Sequence, residues 1–228
     1  MSIVQNLPPI VMAIGGLGTA AFGLVDSTKV FWGGVNRIGF GKIKKTVSGL
    51  TPGALVNGLN QDRILDTLRA NWYNGQDLAS QKSVAKTLIK LGLNTGNATD
   101  VAKATGVDGA ALQSIASKIV SGTALSSIET DVFSRFDMIL TALLDETYQN
   151  SDQIYTNGTR FLASFFAVAL AFAGGWVINA GPLGQYWWTR DMWEALIVGI
   201  VATPLAPIAK DLSSALSTAV NTLQIVKK

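Results

Sequence analysis

The sequence predicts an all-α integral membrane protein with about three transmembrane helices and a helical cytoplasmic domain. Three observations lead to this fold class. Hydrophobic residues make up 48% of the chain and charged residues only 14%, whereas soluble domains carry about 25% charged residues. Three segments are apolar and nearly free of charge, at residues 7–25, 161–178 and 195–209. The remaining central segment has the apolar spacing of amphipathic helices.

The N-terminal apolar segment, residues 7–25, predicts the first span. Pro8 and Pro9 suit the first turn of a helix, where a backbone donor is not needed. A cleaved secretory signal is the alternative, because small residues lie near the end of the segment. A signal sequence begins with a basic region, however, and residues 1–7 carry no positive charge. We therefore expect a retained span, with residues 1–41 forming this helix and its juxtamembrane segment.

The C-terminal third, residues 160–228, predicts a transmembrane hairpin followed by a cytoplasmic tail. Residues 161–178 are almost unbroken in apolar character and, at 1.5 Å per residue, extend over about 27 Å, close to the thickness of the hydrocarbon core. Residues 195–209 are a shorter candidate that Pro204 and Pro207 should kink. A re-entrant segment is the alternative there. The aromatic residues of the connecting loop are expected to form an interfacial belt; they are Tyr186, Trp187, Trp188 and Trp193.

The positions of lysine and arginine predict the orientation. Lys42, Lys44 and Lys45 follow the first span, and Arg160 precedes the second. Because cytoplasmic loops are enriched in these residues, we expect residues 42–159 and the C-terminus in the cytoplasm and the N-terminus outside.

Small residues recur at helical spacing in all three apolar segments. Edges of this kind let two helices approach closely in lipid, where no hydrophobic force drives the helices together. We expect these edges to be contacts within the chain or between subunits. The expected interface residues are Gly16, Ala20 and Gly23 in the first segment, Ala163, Ala167, Ala171 and Gly175 in the second, and Ala195 and Gly199 in the third.

Residues 42–159 are expected to fold as a helical domain. Thr51 and Pro52 resemble a helix start, because a threonine hydroxyl can cap the first turn and proline fits the first helical position. Residues 60–75 and 77–91 predict two further helices, since their apolar residues recur every three or four positions.

Ser126 and Glu129 predict the start of a long amphipathic helix. Their spacing is that of a capping box, in which the serine and the glutamate satisfy each other's backbone donors. The sequence after them contains no proline before the second span, and only Gly158 interrupts the pattern. We therefore expect this helix to continue nearly unbroken into the membrane.

Charge in the central segment is separated into two blocks. Residues 42–90 hold eight basic and three acidic side chains, and residues 129–152 hold six acidic side chains and one arginine. These opposite fields should attract each other, either folding the domain on itself or joining neighbouring subunits. The lysines are also expected to form a basic face for anionic lipid or an acidic partner, with a solvated surface as the alternative. This face comprises Lys42, Lys44, Lys45, Lys82, Lys86 and Lys90.

Residues 97–119 resemble a helix-turn-helix. Val101, Ala102 and the Gly106–Val107 pair are placed as such a turn requires. The second helix would offer only Gln113, Ser114 and Lys118 to DNA and no arginine. Two short packed helices explain the pattern equally well, so we do not expect a nucleic-acid partner.

The chain has no cysteine and no histidine. Thiolate nucleophiles, structural zinc sites of the usual kind and imidazole bases are therefore excluded. Asp145 and Glu146 are adjacent carboxylates that could act on a metal or a lipid, but a solvated acidic face is the more common use of such a pair. We expect no catalytic residue, no metal and no cofactor.

Residues 132–172 read VFSRFDMILTALLDETYQNSDQIYTNGTRFLASFFAVALAF. Here Arg135, Phe136 and Asp137 stand at the first mark of a WFD…MDR pattern, and the chain resembles a loose group of uncharacterised bacterial inner-membrane proteins. That group has one N-terminal span, a helical cytoplasmic insert and two closing spans. The basic run that usually precedes its second span is replaced here by polar, uncharged residues. The resemblance implies a bacterial inner membrane and no particular activity.

We therefore expect a non-enzymatic membrane protein, a structural, scaffolding or accessory subunit that acts through helix–helix contacts. Its expected partners are membrane lipids and other membrane-protein subunits, in a homo- or hetero-oligomer. The alternative is a homo-oligomeric channel or transporter component. A third hypothesis is a lipid-binding or lipid-modifying protein that uses Asp145 and Glu146.

Overall fold

The structure is a computed structural model, and it describes residues 3–31, 33–53, 55–56, 59–179 and 181–208. Helices hold 81% of these described residues, and the strand content in them is one antiparallel pair of two-residue strands. The predicted all-α class is therefore confirmed.

The chain divides into two compact units. We call Asn36–Tyr155 the central unit, and Met1–Val35 together with Thr156–Lys228 the apolar unit. The central unit contains α2 (Asn36–Leu50), β1 (Leu55–Val56), β2 (Leu59–Asn60), α3 (Gln61–Tyr73), α4 (Leu78–Leu91), α5 (Ala98–Thr105) and α6 (Gly109–Ser121). The apolar unit contains α1 (Ile3–Thr28), α8 (Leu183–Tyr186) and α9 (Arg190–Leu205). Helix α7 (Ser127–Asn179) supplies residues to both units.

The two helices predicted at residues 60–75 and 77–91 are confirmed as α3 and α4. Asn60 and Asp77 cap them, because each side chain accepts a hydrogen bond from a backbone N–H of the first turn. The apolar face of α3 lies in the core of the central unit, where Ile64 and Leu68 are fully buried.

The helix start predicted at Thr51 and Pro52 is wrong. Helix α2 ends at Leu50, and the Thr51 hydroxyl donates to the carbonyl of Val47 at 2.8 Å. The side-chain amide of Gln61 donates to the carbonyls of Ser48 and Thr51. These bonds satisfy acceptors that every helix C-terminus leaves open, so the threonine belongs to a helix end.

Helix α2 crosses the boundary that the sequence suggested at residue 42. Its buried residues include Phe40 and Ile43, which join the core of the central unit. Gly39 permits a close contact, since a Cβ atom there would lie 2.5 Å from Cζ2 of Trp72. The Trp72 indole N–H donates to the Asn36 carbonyl at 2.9 Å. Part of the expected juxtamembrane segment is therefore core-forming helix.

The capping box at the start of α7 is confirmed. The Ser126 N–H donates to a Glu129 carboxylate oxygen at 2.7 Å, and the Glu129 N–H donates to the Ser126 hydroxyl at 3.3 Å. Helix α7 then continues for 53 residues without a break at Gly158. At 1.5 Å per residue this is about 80 Å, so the expected long helix into the second apolar segment is present.

Two described helices are long and apolar enough to cross a membrane by length and composition, α1 over Pro9–Thr28 and α7. Helix α9 has 16 residues, with Pro204 inside it, and is shorter than either. The third expected span is therefore not confirmed. Its last residue, 209, and the expected cytoplasmic tail lie outside the described residues.

Acid should weaken the start of α7 through Glu129. Its carboxylate accepts hydrogen bonds from Lys118, at 2.6 Å, and from Ser114 and the Ser126 backbone, and these lower its pKa from 4.5 to about 2. A lowered pKa stabilises the fold above the unfolded value, and this contribution is lost as the pH falls from about 5 towards 2. We expect Glu129→Gln to be less stable than the natural chain at pH 7, with a smaller difference at pH 3.

Thermal unfolding followed by far-ultraviolet circular dichroism in detergent measures this difference. Asp131→Asn is the control, because Asp131 is exposed and lies two residues away on the same helix. A difference that stays the same between pH 7 and pH 3 would contradict the role of Glu129.

Candidate functional site

Helices α7 and α9 meet through small residues. Ala163 and Ala167 on α7 are fully buried, and Gly199 on α9 is buried opposite them. A Cβ atom on Gly199 would lie 2.5 Å from the Cα atom of Val168 and 3.1 Å from the Ala167 carbonyl oxygen. Only glycine permits this backbone approach. The structure thus brings together three of the residues that the sequence indicated for helix packing.

The same edges meet again further along both helices. A Cβ atom on Gly175 would lie 3.2 Å from the Cβ atom of Ala195 and would overlap the hydroxyl group of Tyr186. Tyr186 is fully buried, and its ring centroid is 5.1 Å from that of Phe172. The assignment of Tyr186 to an interfacial belt is therefore wrong, because this ring fills the space beside Gly175. Ala171, between these levels, is half-buried.

Helix α1 packs against α9 through a different side from the one expected. Gly18 and Ala21 are buried, and a Cβ atom on Gly18 would overlap the carbonyl oxygen of Ala202. The residues expected at this interface, Gly16, Ala20 and Gly23, are exposed. Small residues line both sides of α1, so their spacing alone did not identify the side that faces α9. The three-residue spacing of Gly15, Gly18 and Ala21 was the signal that the sequence interpretation missed.

Large apolar side chains of the apolar unit point outwards. Phe161 is 78% exposed and Ile178 is 86% exposed, and Ile197 on α9 is also exposed. In the central unit most of the large apolar residues are inside, with Phe136 and Leu140 fully buried, although a minority such as Ile128 and Met138 are exposed. The two units of one chain therefore have opposite arrangements of large and small residues.

The lysine stripe on α4 is paired with the acidic block on α7. Lys82 forms an ion pair with Asp145, and Lys86 and Lys90 both reach Asp137, at 2.6 and 3.0 Å. The opposed charge blocks thus attract each other within one chain. This corrects the expectation that these three lysines form a free basic face.

Asp137 is the centre of this charge cluster. Burial alone would raise its pKa, but hydrogen bonds from Lys86 and Lys90 outweigh that effect and hold the pKa below its ordinary value. The Lys90 ammonium also lies 4.9 Å from the centroid of the Phe133 ring. Because the side chains are about one third exposed, each pair contributes only about 0.5–1 kcal/mol.

The other predicted lysines lie on α2. Lys44 and Lys45 are exposed and Lys42 is half-buried. Within the described part of the chain, no carboxylate forms an ion pair with any of the three. They are the part of the expected basic face that is accessible, and Arg37, which was not among the expected residues, is exposed on the same helix.

The helix-turn-helix pattern corresponds to α5 and α6. Gly106 ends α5 with a φ of 71°, and Asp108 caps α6. The few polar side chains of α6 are used within the fold, since Lys118 binds Glu129 and Gln113 donates to the Thr95 carbonyl. The structure therefore supports the interpretation as two short packed helices.

The adjacent carboxylates also have partners nearby. Asp145 is paired with Lys82, and Glu146 accepts a hydrogen bond from the Asn150 amide at 3.3 Å. Among the described residues, no group of three acidic side chains is placed to hold a metal ion.

The comparisons with known proteins identify no relative of the chain. No protein-family model, no curated protein and no solved structure matches it. The resemblance of residues 132–172 to bacterial inner-membrane proteins stays a prediction.

Alanine substitutions at Gly18 and Gly16 compare a glycine that packs against α9 with an exposed glycine on the same helix. Gly18→Ala forces a methyl group onto the Ala202 carbonyl, so we expect a loss of about 1–3 kcal/mol in the free energy of unfolding. Gly16→Ala meets nothing within 4 Å, and alanine favours a helix over glycine by about 1 kcal/mol. This control should be neutral or stabilising.

Unfolding by titration with sodium dodecyl sulfate in mixed micelles measures both variants. Equal losses at the two positions would show that α1 does not pack on α9 through Gly18.

Exchanging the charges of Lys82 and Asp145 tests the contact between α4 and α7. Lys82→Asp or Asp145→Lys alone places like charges together, and each should lower the free energy of unfolding by about 0.5–1 kcal/mol because the pair is partly exposed. The double exchange should restore most of this loss. Chemical unfolding of the full chain in detergent gives all three values. If the losses of the single variants simply add in the double variant, the two side chains do not interact.

Proposed function

We propose that this chain is a non-enzymatic integral membrane protein, a structural, scaffolding or accessory subunit that acts through helix–helix contacts. The observation that carries the proposal is the opposite arrangement of side chains in the two units. Burying an apolar side chain is favourable only when the alternative is water. A unit that buries Ala163, Ala167 and Ala202 and exposes Phe161 and Ile178 suits a lipid surrounding.

We propose that α1, α9 and the apolar part of α7 lie in the bilayer. Helices α1 and α7 have the length and composition to cross it. Helix α9 has 16 residues, which extend over about 24 Å, and its contacts with both other helices place it among them. The exposed rings of Trp187 and Trp188 suit the interfacial belt that commonly borders a span.

The proposed location is a bacterial inner membrane, with the N-terminus outside and both the central unit and the C-terminus in the cytoplasm. The accessible cations support this orientation. Lys44 and Lys45 are exposed on α2, which follows α1 in the chain, and Arg160 directly precedes the charge-free residues 161–179. Such positions are typical of the cytoplasmic side.

The surface proposed to bind a partner helix is the side of α1 that carries Gly16, Ala20 and Gly23. Gly16 is two residues, or about 200° of helical rotation, from Gly18, so this surface and the contact with α9 lie on opposite sides of α1. A Cβ atom at Gly16 or Gly23 would meet nothing within 4 Å. A second copy of the chain or another subunit could therefore approach α1 as closely as α9 does.

The charged side chains of the central unit support a structural role. Lys82, Lys86 and Lys90 hold α4 on α7 through Asp137 and Asp145. In these positions they stabilise a contact between helices.

Single cysteines along α1 test the proposed surface directly, because the natural chain has no cysteine. Each of Gly16→Cys, Ala20→Cys and Gly23→Cys is labelled in native membranes with a photoreactive benzophenone maleimide and illuminated. We expect covalent products larger than the chain at these positions, since a partner helix would lie within reach. Gel electrophoresis detects the products, and mass spectrometry identifies the attached protein.

Ile10→Cys is the matched control, because Ile10 is exposed and lies about 80° or more around α1 from Gly16, Ala20 and Gly23. It should give mainly lipid adducts. A chain that stays monomeric at all four positions would contradict assembly through α1. Ion conductance of reconstituted liposomes would instead favour an oligomeric channel.

A further inference from the structure

A groove in the apolar unit lies where Arg160 begins the charge-free part of α7. It has a volume of about 540 Å³, within the range of small-molecule sites. Its lining combines three polar side chains with four apolar ones, Arg160, Ser164 and Thr203 with Phe22, Phe161, Pro204 and Pro207. The groove is therefore amphipathic.

The polar side chains of this groove are not used within the fold. Thr203 is 7% exposed and its hydroxyl is buried, but it has no hydrogen-bond partner among the described residues. A threonine in a helix has two accessible χ1 rotamers, and Thr203 lines the groove, so a change of rotamer can present this hydroxyl to a ligand there. Ser164 lies one turn from Arg160 on α7, and the structure shows no hydrogen bond from its side chain to the described residues.

Arg160 is exposed, and within the described part of the chain no carboxylate pairs with it. A guanidinium group binds phosphate through two parallel hydrogen bonds. An arginine with two hydroxyl groups beside it has the donors that a phosphate group needs.

We propose that this groove binds one anionic phospholipid, with its phosphate at Arg160, Ser164 and Thr203. The apolar residues favour a lipid over free phosphate, because Phe22, Phe161 and the prolines offer a surface that only an acyl chain would cover. Arg160 directly precedes residues 161–179, which contain no charged side chain, so its guanidinium lies at the depth of the headgroups. The inference rests on the membrane placement in the proposed function, but not on a partner at α1.

Native mass spectrometry of the full chain in mild detergent tests the site. The protein is titrated with phosphatidylglycerol or with phosphatidylcholine of the same acyl chains. We expect one tightly retained phosphatidylglycerol, bound about fivefold or more tightly than phosphatidylcholine, because the quaternary ammonium of choline cancels the net charge of that headgroup and is repelled by the Arg160 guanidinium. Arg160→Gln should abolish this preference. Thr203→Val keeps the shape of the side chain and should weaken retention by about two- to threefold.

Arg160→Lys keeps the charge without the planar fork, so it should retain less lipid than the natural chain and more than Arg160→Gln. Arg37→Gln is the matched control for general electrostatic attraction, because Arg37 is exposed, lies outside the groove and forms no ion pair among the described residues. Thermal unfolding of each variant confirms that it is folded.

Equal binding of the two lipids would overturn the proposal, as would equal effects of Arg160→Gln and Arg37→Gln. Inorganic phosphate that displaces the lipid at an equal concentration would show a phosphate site without a lipid requirement, which also overturns it. Extraction of the chain from membranes by alkaline carbonate would contradict the proposed function itself. A chain that resists extraction but shows no lipid preference overturns only this inference.

Discussion

The rest of the structure depends on how the residues of helix α7 change in size along its length. Within the central unit it buries Phe136, Leu140 and Leu144, and within the apolar unit it buries Ala163 and Ala167. Large side chains gain free energy by leaving water. Where no water is displaced, close packing of backbones becomes the main attraction, and small residues favour it. One uninterrupted helix therefore packs through large apolar side chains in the central unit and through small ones in the apolar unit.

In the central unit, apolar burial contributes more to the stability of the fold than ion pairs do. Fully burying a leucine or isoleucine contributes about 1.5–3 kcal/mol, whereas a partly exposed ion pair contributes about 0.5–1 kcal/mol. Ile89 on α4 and Leu144 on α7 belong to the same buried cluster. Burial therefore provides most of the free energy that holds α4 against α7. The pairs of Lys82 with Asp145 and of Lys86 with Asp137 act mainly on specificity. They favour one rotation of α4, because any other would leave the acidic side chains without partners.

Local signals in the sequence predicted local structure well. The predicted capping box at Ser126 depends on residues three positions apart, so the sequence contains all the information about it. The caps that the structure shows at Asn60 and Asp77 have the same spacing. Thr51 shows the limit, because a threonine hydroxyl can bond at either end of a helix, and the choice depended on the distant Gln61. The side of α1 that packs on α9 was likewise not predictable, because it depends on a contact with a distant segment of the chain.

Contacts between distant segments decide which of the available surfaces are used. Small residues line both sides of α1, and only the structure shows that Gly18 meets α9 while Gly16 is exposed. Likewise, the lysines of α4 had suitable partners either within the chain or on a neighbour, and the structure pairs them with Asp137 and Asp145. Internal pairing uses Glu129, Asp137 and Asp145, three of the six side chains in the acidic block, and so halves the opposite charge that could attract another subunit. In the proposed assembly, α1 would then supply recognition between subunits that charge does not, through the fit of one helix against another.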